Sequence, residues 1–226
     1  MDAFITASLM AIATGSAAGL RPYFTVCFLG LAKLLTPDAA PHLIADAVNL
    51  IPEQLTNPWV LGVTGLIGVC EFLVDKFQFL DSAWDTLQGL LRPVFGALVG
   101  LQLGAESGST AAMISGLVLG GGSAATVSMG KSMLRAVINI LPEPVSNFLT
   151  SLGEDAAATV LLVCALIVPV LAGVLGALLV AGAAVVFSKL RNRYKNAKKS
   201  FEQYKQARRT GSTVVEPGTA SPGNSI

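Results

Sequence analysis

Residues 49–57 read NLIPEQLTN, and residues 139–147 repeat this phrase as NILPEPVSN. Four of the nine positions are identical, and four exchange between similar residues. A second pair of stretches, Gly15-Ser16-Ala17-Ala18 and Gly122-Ser123-Ala124-Ala125, precedes the two phrases in the same order. A pattern that recurs twice in order predicts an internal duplication. We therefore expect a first repeat over residues 1–105 and a second over residues 106–188.

The composition predicts a membrane protein. Hydrophobic residues make up 53% of the chain and charged residues only 13%, whereas soluble domains carry about 25% charged residues. We expect an all-α polytopic membrane protein, a helical bundle with five to six membrane segments. Cys27, Cys70 and Cys164 are too scattered for a metal cluster or a disulfide framework, and we interpret them as buried thiols. No cofactor is expected.

Two apolar stretches are too long for one straight span. The first, residues 3–33, would reach about 46 Å as one helix, against a bilayer core of about 30 Å. Its candidate helix breaks are Gly15, Gly19 and Pro22, because glycine weakens a helix and proline removes a donor. The second stretch, residues 111–141, has its candidate breaks at Gly121 and Gly122.

Each broken segment either crosses the membrane or re-enters it. Paired interrupted segments in two halves are typical of a transporter binding site, although glycines also serve close helix packing in lipid. If the first broken segment, residues 59–74 and residues 87–104 each cross once, the two repeats are inverted. Re-entrant segments would leave a parallel pair. We expect the inverted arrangement.

The remaining segments are simpler. We expect a short helix at the membrane surface around residues 42–50, and one kinked helix over residues 156–187 in preference to two short spans. Ser151 and Glu154 match the spacing of a capping box before that helix.

The C-terminal region separates from the membrane part by charge. Nine of the fifteen basic residues lie between Lys189 and Arg209, and basic segments beside spans stay in the cytoplasm. We expect a basic cytoplasmic helix over residues 189–209 and a disordered tail over residues 210–226. The predicted location is a bacterial inner membrane.

Charged residues lie within or beside the apolar segments, where each costs at least about 2.5 kcal/mol and normally faces the bundle interior. They are Arg21, Glu71, Asp75, Arg92, Lys131, Arg135, Glu154 and Asp155. One hypothesis is that they line the pathway of an ionic solute. The other is that they pair with one another and only lock the fold.

Several motifs resemble a known family, the membrane proteins catalogued as domain of unknown function 4126. The resemblance covers about residues 5–185 and rests on residues 19–22, 71–76, 81–85, 92–93, 142–147 and 154–155, which read GLRP, EFLVDK, DSAWD, RP, PEPVSN and ED. The family often carries a histidine near the Lys131 motif, whereas this chain has Ser128. The resemblance implies no established activity.

Three functions compete. The favoured one is a small transporter or channel for a hydrophilic, ionic solute bound between the broken helices. The second is a membrane enzyme that acts on a phosphate-bearing lipid through a divalent metal, held by Asp81 and Asp85 with Asp75 as a third ligand. The third is a non-catalytic membrane scaffold. The expected partners are the lipid bilayer and a small ionic solute or proton; a homo-oligomer is left open, and no nucleic acid is expected.

Overall fold

The computed structural model describes residues 2–37, 39–74, 78–138 and 144–210. Within these ranges the chain forms eight α-helices, one short 3-10 helix and no strand. The helices are α1 (Ala3–Leu20), α2 (Pro22–Leu35), α3 (His42–Asn49), α4 (Pro58–Val74), α5 (Gln78–Glu106), α6 (Thr110–Ile138), α7 (Pro144–Ile167) and α8 (Pro169–Thr210). The predicted all-α class is confirmed, and α3 is the short helix expected around residues 42–50.

In the part of the chain that the structure describes, four stretches are long and apolar enough to cross a bilayer core, namely Ala3–Leu20, Thr110–Ile138, Phe148–Ile167 and Pro169–Arg193. Two further apolar helices, α2 and α4, are shorter, with 14 and 17 residues. The chain is therefore a membrane protein by the length and composition of its helices. The number of spans beyond these four stays a prediction.

The first long apolar stretch breaks at one residue. Arg21 leaves helical geometry, with φ −142° and ψ 81°, between the end of α1 and the start of α2. Pro22 follows as the first residue of α2, where its missing N–H costs no hydrogen bond and its fixed φ suits a helix start. Of the predicted breaks, the structure has the one at Pro22.

The predicted breaks at Gly15, Gly19, Gly121 and Gly122 are wrong, because α1 and α6 each run through them as continuous helices. Gly15 and Gly19 instead allow α1 to touch α6. A Cβ on Gly15 would lie closer than 3.0 Å to atoms of Gly120 and Ser123, and one on Gly19 would meet the Ala124 carbonyl at 2.7 Å. Small residues allow such backbone approach in lipid.

The two helices that carry the Gly-Ser-Ala-Ala stretches run in the same direction. Ser8 Oγ lies 3.4 Å from Ser115 Oγ near their starts, and Lys131 of α6 reaches the Leu20 carbonyl at the end of α1. The expected inverted relation between these helices is therefore wrong, since a two-fold axis in the membrane plane would make them antiparallel. The duplication itself stays a prediction.

Helix α5 packs antiparallel to α6 through facing glycines. Gly100 lies against Gly116, while Gly104 lies against Ala112 and Gly96 against Gly120. A Cβ at Gly100 or Gly116 would overlap the carbonyl oxygen of the other. The backbones of α5 and α6 are therefore in direct contact along this interface. Pro93 lies inside α5, which continues through it.

The last apolar region is two helices, so the expected single kinked helix is wrong. Helix α7 passes Arg21 at Ser151 and Asp155 and ends at Ile167, and only Val168 separates it from the start of α8 at Pro169. Gly173 then lies against Leu9, and Gly176 against Ala13. The chain therefore reverses at Val168: α7 runs antiparallel to α1, and α8 runs parallel to it. Pro169 ends the first helix, because the residue before a proline is pushed out of the α region.

The two stretches predicted as repeats, residues 1–105 and 106–188, pack against each other. Helix α1 of the first predicted repeat packs against α6 and α8 of the second. The basic segment 189–209 is the direct continuation of α8, so no break marks residue 189. Residues 211–226 and the first five residues of the second copy of the phrase, 139–143, lie outside the described ranges.

Candidate functional site

The helix break at Arg21 is tied to α7 by an ion pair. Arg21 is buried, and its Nε lies 2.7 Å from Asp155 Oδ1. Its terminal nitrogen donates to Ser151 Oγ at 3.0 Å. Ser151 and Asp155 are one helical turn apart on α7, so one face of that helix receives the guanidinium.

Lys131 occupies the other side of the break. Its Nζ donates to the Leu20 carbonyl oxygen at 2.9 Å and lies 3.1 Å from Glu154 Oε2. Leu20 is the last residue of α1, where carbonyls lack partners within the helix and carry partial negative charge. Lys131 therefore stabilises the end of α1 while it pairs with Glu154.

Glu154 joins two cations of α6. Arg135 Nε donates to Oε1 of Glu154 at 3.2 Å, and the terminal nitrogen of Arg135 donates to Oε2 at 2.6 Å. Such two-point pairing of a guanidinium with a carboxylate is strong and specific in geometry. Lys131 and Arg135 are one turn apart on α6, and both are buried.

A second polar group lies between α4 and α5. Glu71 and Arg92 are both fully buried, with 0% of either residue exposed. Gln88 lies one turn before Arg92. Its side-chain amide is oriented so that the nitrogen donates to Glu71 Oε1 at 2.8 Å and the oxygen accepts from the Trp84 indole N–H. Tyr23, two residues after the break, packs against Phe95, three residues after Arg92, with the ring centroids 5.1 Å apart. The break is therefore close to both polar groups.

A cavity of about 230 Å³ lies beside the break. It is lined by Arg21, Phe24, Gly68, Phe72, Asp155 and Thr159. The side chain of Asp155 is 23% exposed, against 3% for Arg21, so the carboxylate is the more accessible member of the pair. Phe24 belongs to the first turn of α2, where backbone N–H groups favour an anion. The cavity therefore combines an ion pair, the start of a helix and space for a small solute.

The predicted site residues fall into three sets. Arg21, Lys131, Arg135, Glu154 and Asp155 come together around the break, and Glu71 with Arg92 forms the second group. Asp75 lies outside the described residues, and so do the side chains of Asp81 and Asp85 on α5. Among the residues that the structure does describe, no group of three His, Cys, Asp or Glu side chains is placed to hold a metal.

Sequence reasoning missed Gln88 and misassigned Ser151. Ser151 lies well inside α7, which begins at Pro144, so it is no helix cap and serves Arg21 instead. Each lies one turn before a charged residue, Gln88 before Arg92 and Ser151 before Asp155. That i, i+4 spacing is visible in the sequence and would have identified both.

The fold and the buried charges define the class: an all-helical membrane protein with paired charges around a broken helix. Comparison with the sequence models of known families identifies the family of this chain. The sequence model of the family described as "Domain of unknown function (DUF4126)" matches residues 8–189. The chain belongs to this family. No curated protein and no solved structure matches it significantly.

Proposed function

We propose that the protein is a membrane transporter or channel for a small ionic solute, which it binds in the cavity beside Arg21. The observation that carries the proposal is the Arg21–Asp155 pair, which is anchored at a helix break and lines that cavity. Buried charges within membrane segments are costly and commonly mark ion pathways, and interrupted helices commonly form transporter sites.

An anion is the favoured solute. Among the described residues, the five charged side chains around the break comprise three cations, Arg21, Lys131 and Arg135, and two anions, Glu154 and Asp155. The start of α2 adds partial positive charge. In this arrangement Asp155 competes with the solute for Arg21, which allows the anion to be released as well as bound.

Flux measurements on the purified protein in liposomes test this proposal with a panel of chloride, inorganic phosphate, sulfate and acetate. We expect Arg21→Gln to lower the flux of the transported anion by about tenfold to a hundredfold, because hydrogen bonds to charged groups are worth about 1.5–3 kcal/mol. We expect Asp155→Asn to lower the KM for that anion, because it removes the competing carboxylate.

The matched control is Glu106→Gln, an equal change of charge at the exposed end of α5, which should leave flux unchanged. Size-exclusion chromatography of each variant separates loss of function from loss of fold. Flux that is indifferent to both Arg21→Gln and Asp155→Asn would exclude the cavity as the solute site. The variant Glu71→Gln tests in the same assay whether the second polar group takes part.

A membrane scaffold is the second candidate, because the charges around the break are engaged with one another. Such pairing can hold helices together without any solute. Absence of flux for the whole panel, together with stable capture of one protein partner, would favour this function over transport.

Orientation and origin belong to the same proposal. We place the basic extension of α8 on the cytoplasmic side, by the positive-inside rule, in a bacterial inner membrane. We also propose that the two Gly-Ser-Ala-Ala stretches descend from an internal duplication, now as a parallel pair. The recurrence of the same four residues in the same order before the two copies of the phrase supports that origin.

A further inference from the structure

A crevice of about 460 Å³ separates α7 from α8 on the side that faces α6. The two helices diverge from Val168, and Gly153 and Ala157 of α7 line the crevice opposite Leu178 and Gly182 of α8. Leu178, which is 64% exposed, forms part of its outer edge. The crevice therefore opens on the outer surface of the bundle.

The chemistry of this crevice differs from that of the proposed solute site. Its lining is almost entirely apolar, and its two charged members, Lys131 and Glu154, are 3.1 Å apart and bonded to each other. Its volume lies within the range of small-ligand sites. An apolar space that opens between membrane helices suits a hydrocarbon chain and excludes a hydrated ion.

Positive charge continues from the outer end of the crevice. Val186 lines that end, and Lys189 lies three residues further along α8, about 4.5 Å along the axis. Gly182, Val186, Lys189 and Arg193 follow at spacings of four, three and four, so they share one helix face. Lys189 and Arg193 are exposed. The apolar crevice therefore ends next to two cationic side chains.

We propose that this crevice binds an anionic phospholipid, with one acyl chain between α7 and α8 and the phosphate at Lys189 and Arg193. The apolar lining supplies the driving force for the chain. The two cations supply the preference for a negatively charged head group, as basic residues next to a span do. The site goes beyond the proposed transport function, because it faces the bilayer and not the cavity beside Arg21.

Filling the crevice tests where the chain binds. A Cβ at Gly153 or Gly182 would meet no atom within 4 Å, and both glycines line the crevice, so Gly153→Leu and Gly182→Leu introduce side chains that occupy its space. Gly62→Leu is the matched control, since Gly62 is an exposed helical glycine of α4 with the same open surroundings. Detergent-purified, delipidated protein is heated with phosphatidylglycerol or with phosphatidylcholine of identical chains.

For the wild-type protein and Gly62→Leu we expect phosphatidylglycerol to raise the Tm by about 3 °C or more above the rise with phosphatidylcholine. For Gly153→Leu and Gly182→Leu we expect this difference to disappear. Inorganic phosphate alone should give no rise. A difference that persists in both crevice variants, an equal rise with both lipids, or the same rise with phosphate would overturn the proposal.

A second pair of variants tests the head-group contact. Lys189→Gln with Arg193→Gln removes two charges from the crevice face of α8. Arg191→Gln with Lys195→Gln removes two charges from the opposite face of the same helix and is the charge-matched control. The first pair should abolish the preference for phosphatidylglycerol and the second should retain it. If both pairs of variants lost the preference for phosphatidylglycerol equally, the lipid would be attracted to the overall positive charge of α8, and the proposed site would be wrong.

Discussion

Replacing Gly116 by alanine is expected to lower the free energy of unfolding by about 3 kcal/mol or more, at the upper end of what overpacking costs. A Cβ at this position would overlap the carbonyl oxygen of Gly100. The obstacle is backbone and not the end of a flexible side chain, so α5 and α6 must move apart to admit it. Their separation would remove contacts along the facing glycines.

Gly122→Ala is the matched control for this change. Gly122 lies in the same helix, six residues further on, and a Cβ there would meet no atom within 4 Å. Alanine is the better helix former by about 0.5–1 kcal/mol, so this variant should be equally stable or slightly more stable. Thermal unfolding in detergent measures both. Equal stability of Gly116→Ala and the wild-type protein would mean that α5 and α6 are not in backbone contact.

The glycines show where sequence reasoning about this chain succeeds and where it fails. Composition and apolar length predicted the membrane class and the all-α fold, because both depend on local properties of the chain. Gly121 and Gly122 were predicted to break α6, but the helix continues through them, and the neighbouring Gly120 packs on Gly96. A glycine that breaks a helix and one that admits a neighbouring helix look alike in the sequence. Only the packing partner distinguishes them.

Proline was the more reliable indicator, because its effect is built into its own backbone. Pro22 begins α2, and Pro169 begins α8. Pro93 is the exception, since α5 continues through it. The reversal at Val168 was not predicted because no polar residue marks it. That reversal places Gly173 and Gly176 of α8 against α1. The antiparallel course of α7 relative to α1 brings Ser151 to Arg21, a contact across 130 residues.

The charged residues of the site were predicted as a set, but which acid pairs with which base was not predicted. The cost of charge in a membrane segment is a local argument, and it selected Arg21, Lys131 and Glu154 from the sequence alone. Which acid meets which base depends on the relative placement of α1, α6 and α7. The sequence spacing of Lys131 and Arg135 placed both on one face of α6, but it did not show that one carboxylate, Glu154, serves both.

Glu154→Gln is expected to destabilise the bundle by about 3–5 kcal/mol, the range observed when one partner of a buried ion pair is removed. The carboxylate accepts hydrogen bonds from Arg135 through both oxygens and lies 3.1 Å from the Lys131 ammonium. The amide of glutamine has the same shape but no charge, and its nitrogen would face a cationic donor. Two buried cations would thus lose their shared anion at once.

The cost should fall when one of those cations is removed as well. The double variant Glu154→Gln with Arg135→Met leaves Lys131 with the Leu20 carbonyl as an acceptor and fills the space of Arg135 with an apolar side chain. We expect it to be more stable than the sum of the two single changes predicts, by about 0.5–3 kcal/mol, as for residues in direct contact. Glu106→Gln, at the exposed end of α5, should change stability by no more than about 0.5 kcal/mol. Strict additivity of the two changes would mean that Glu154 and Arg135 are not coupled energetically and that this pair does not hold α6 to α7.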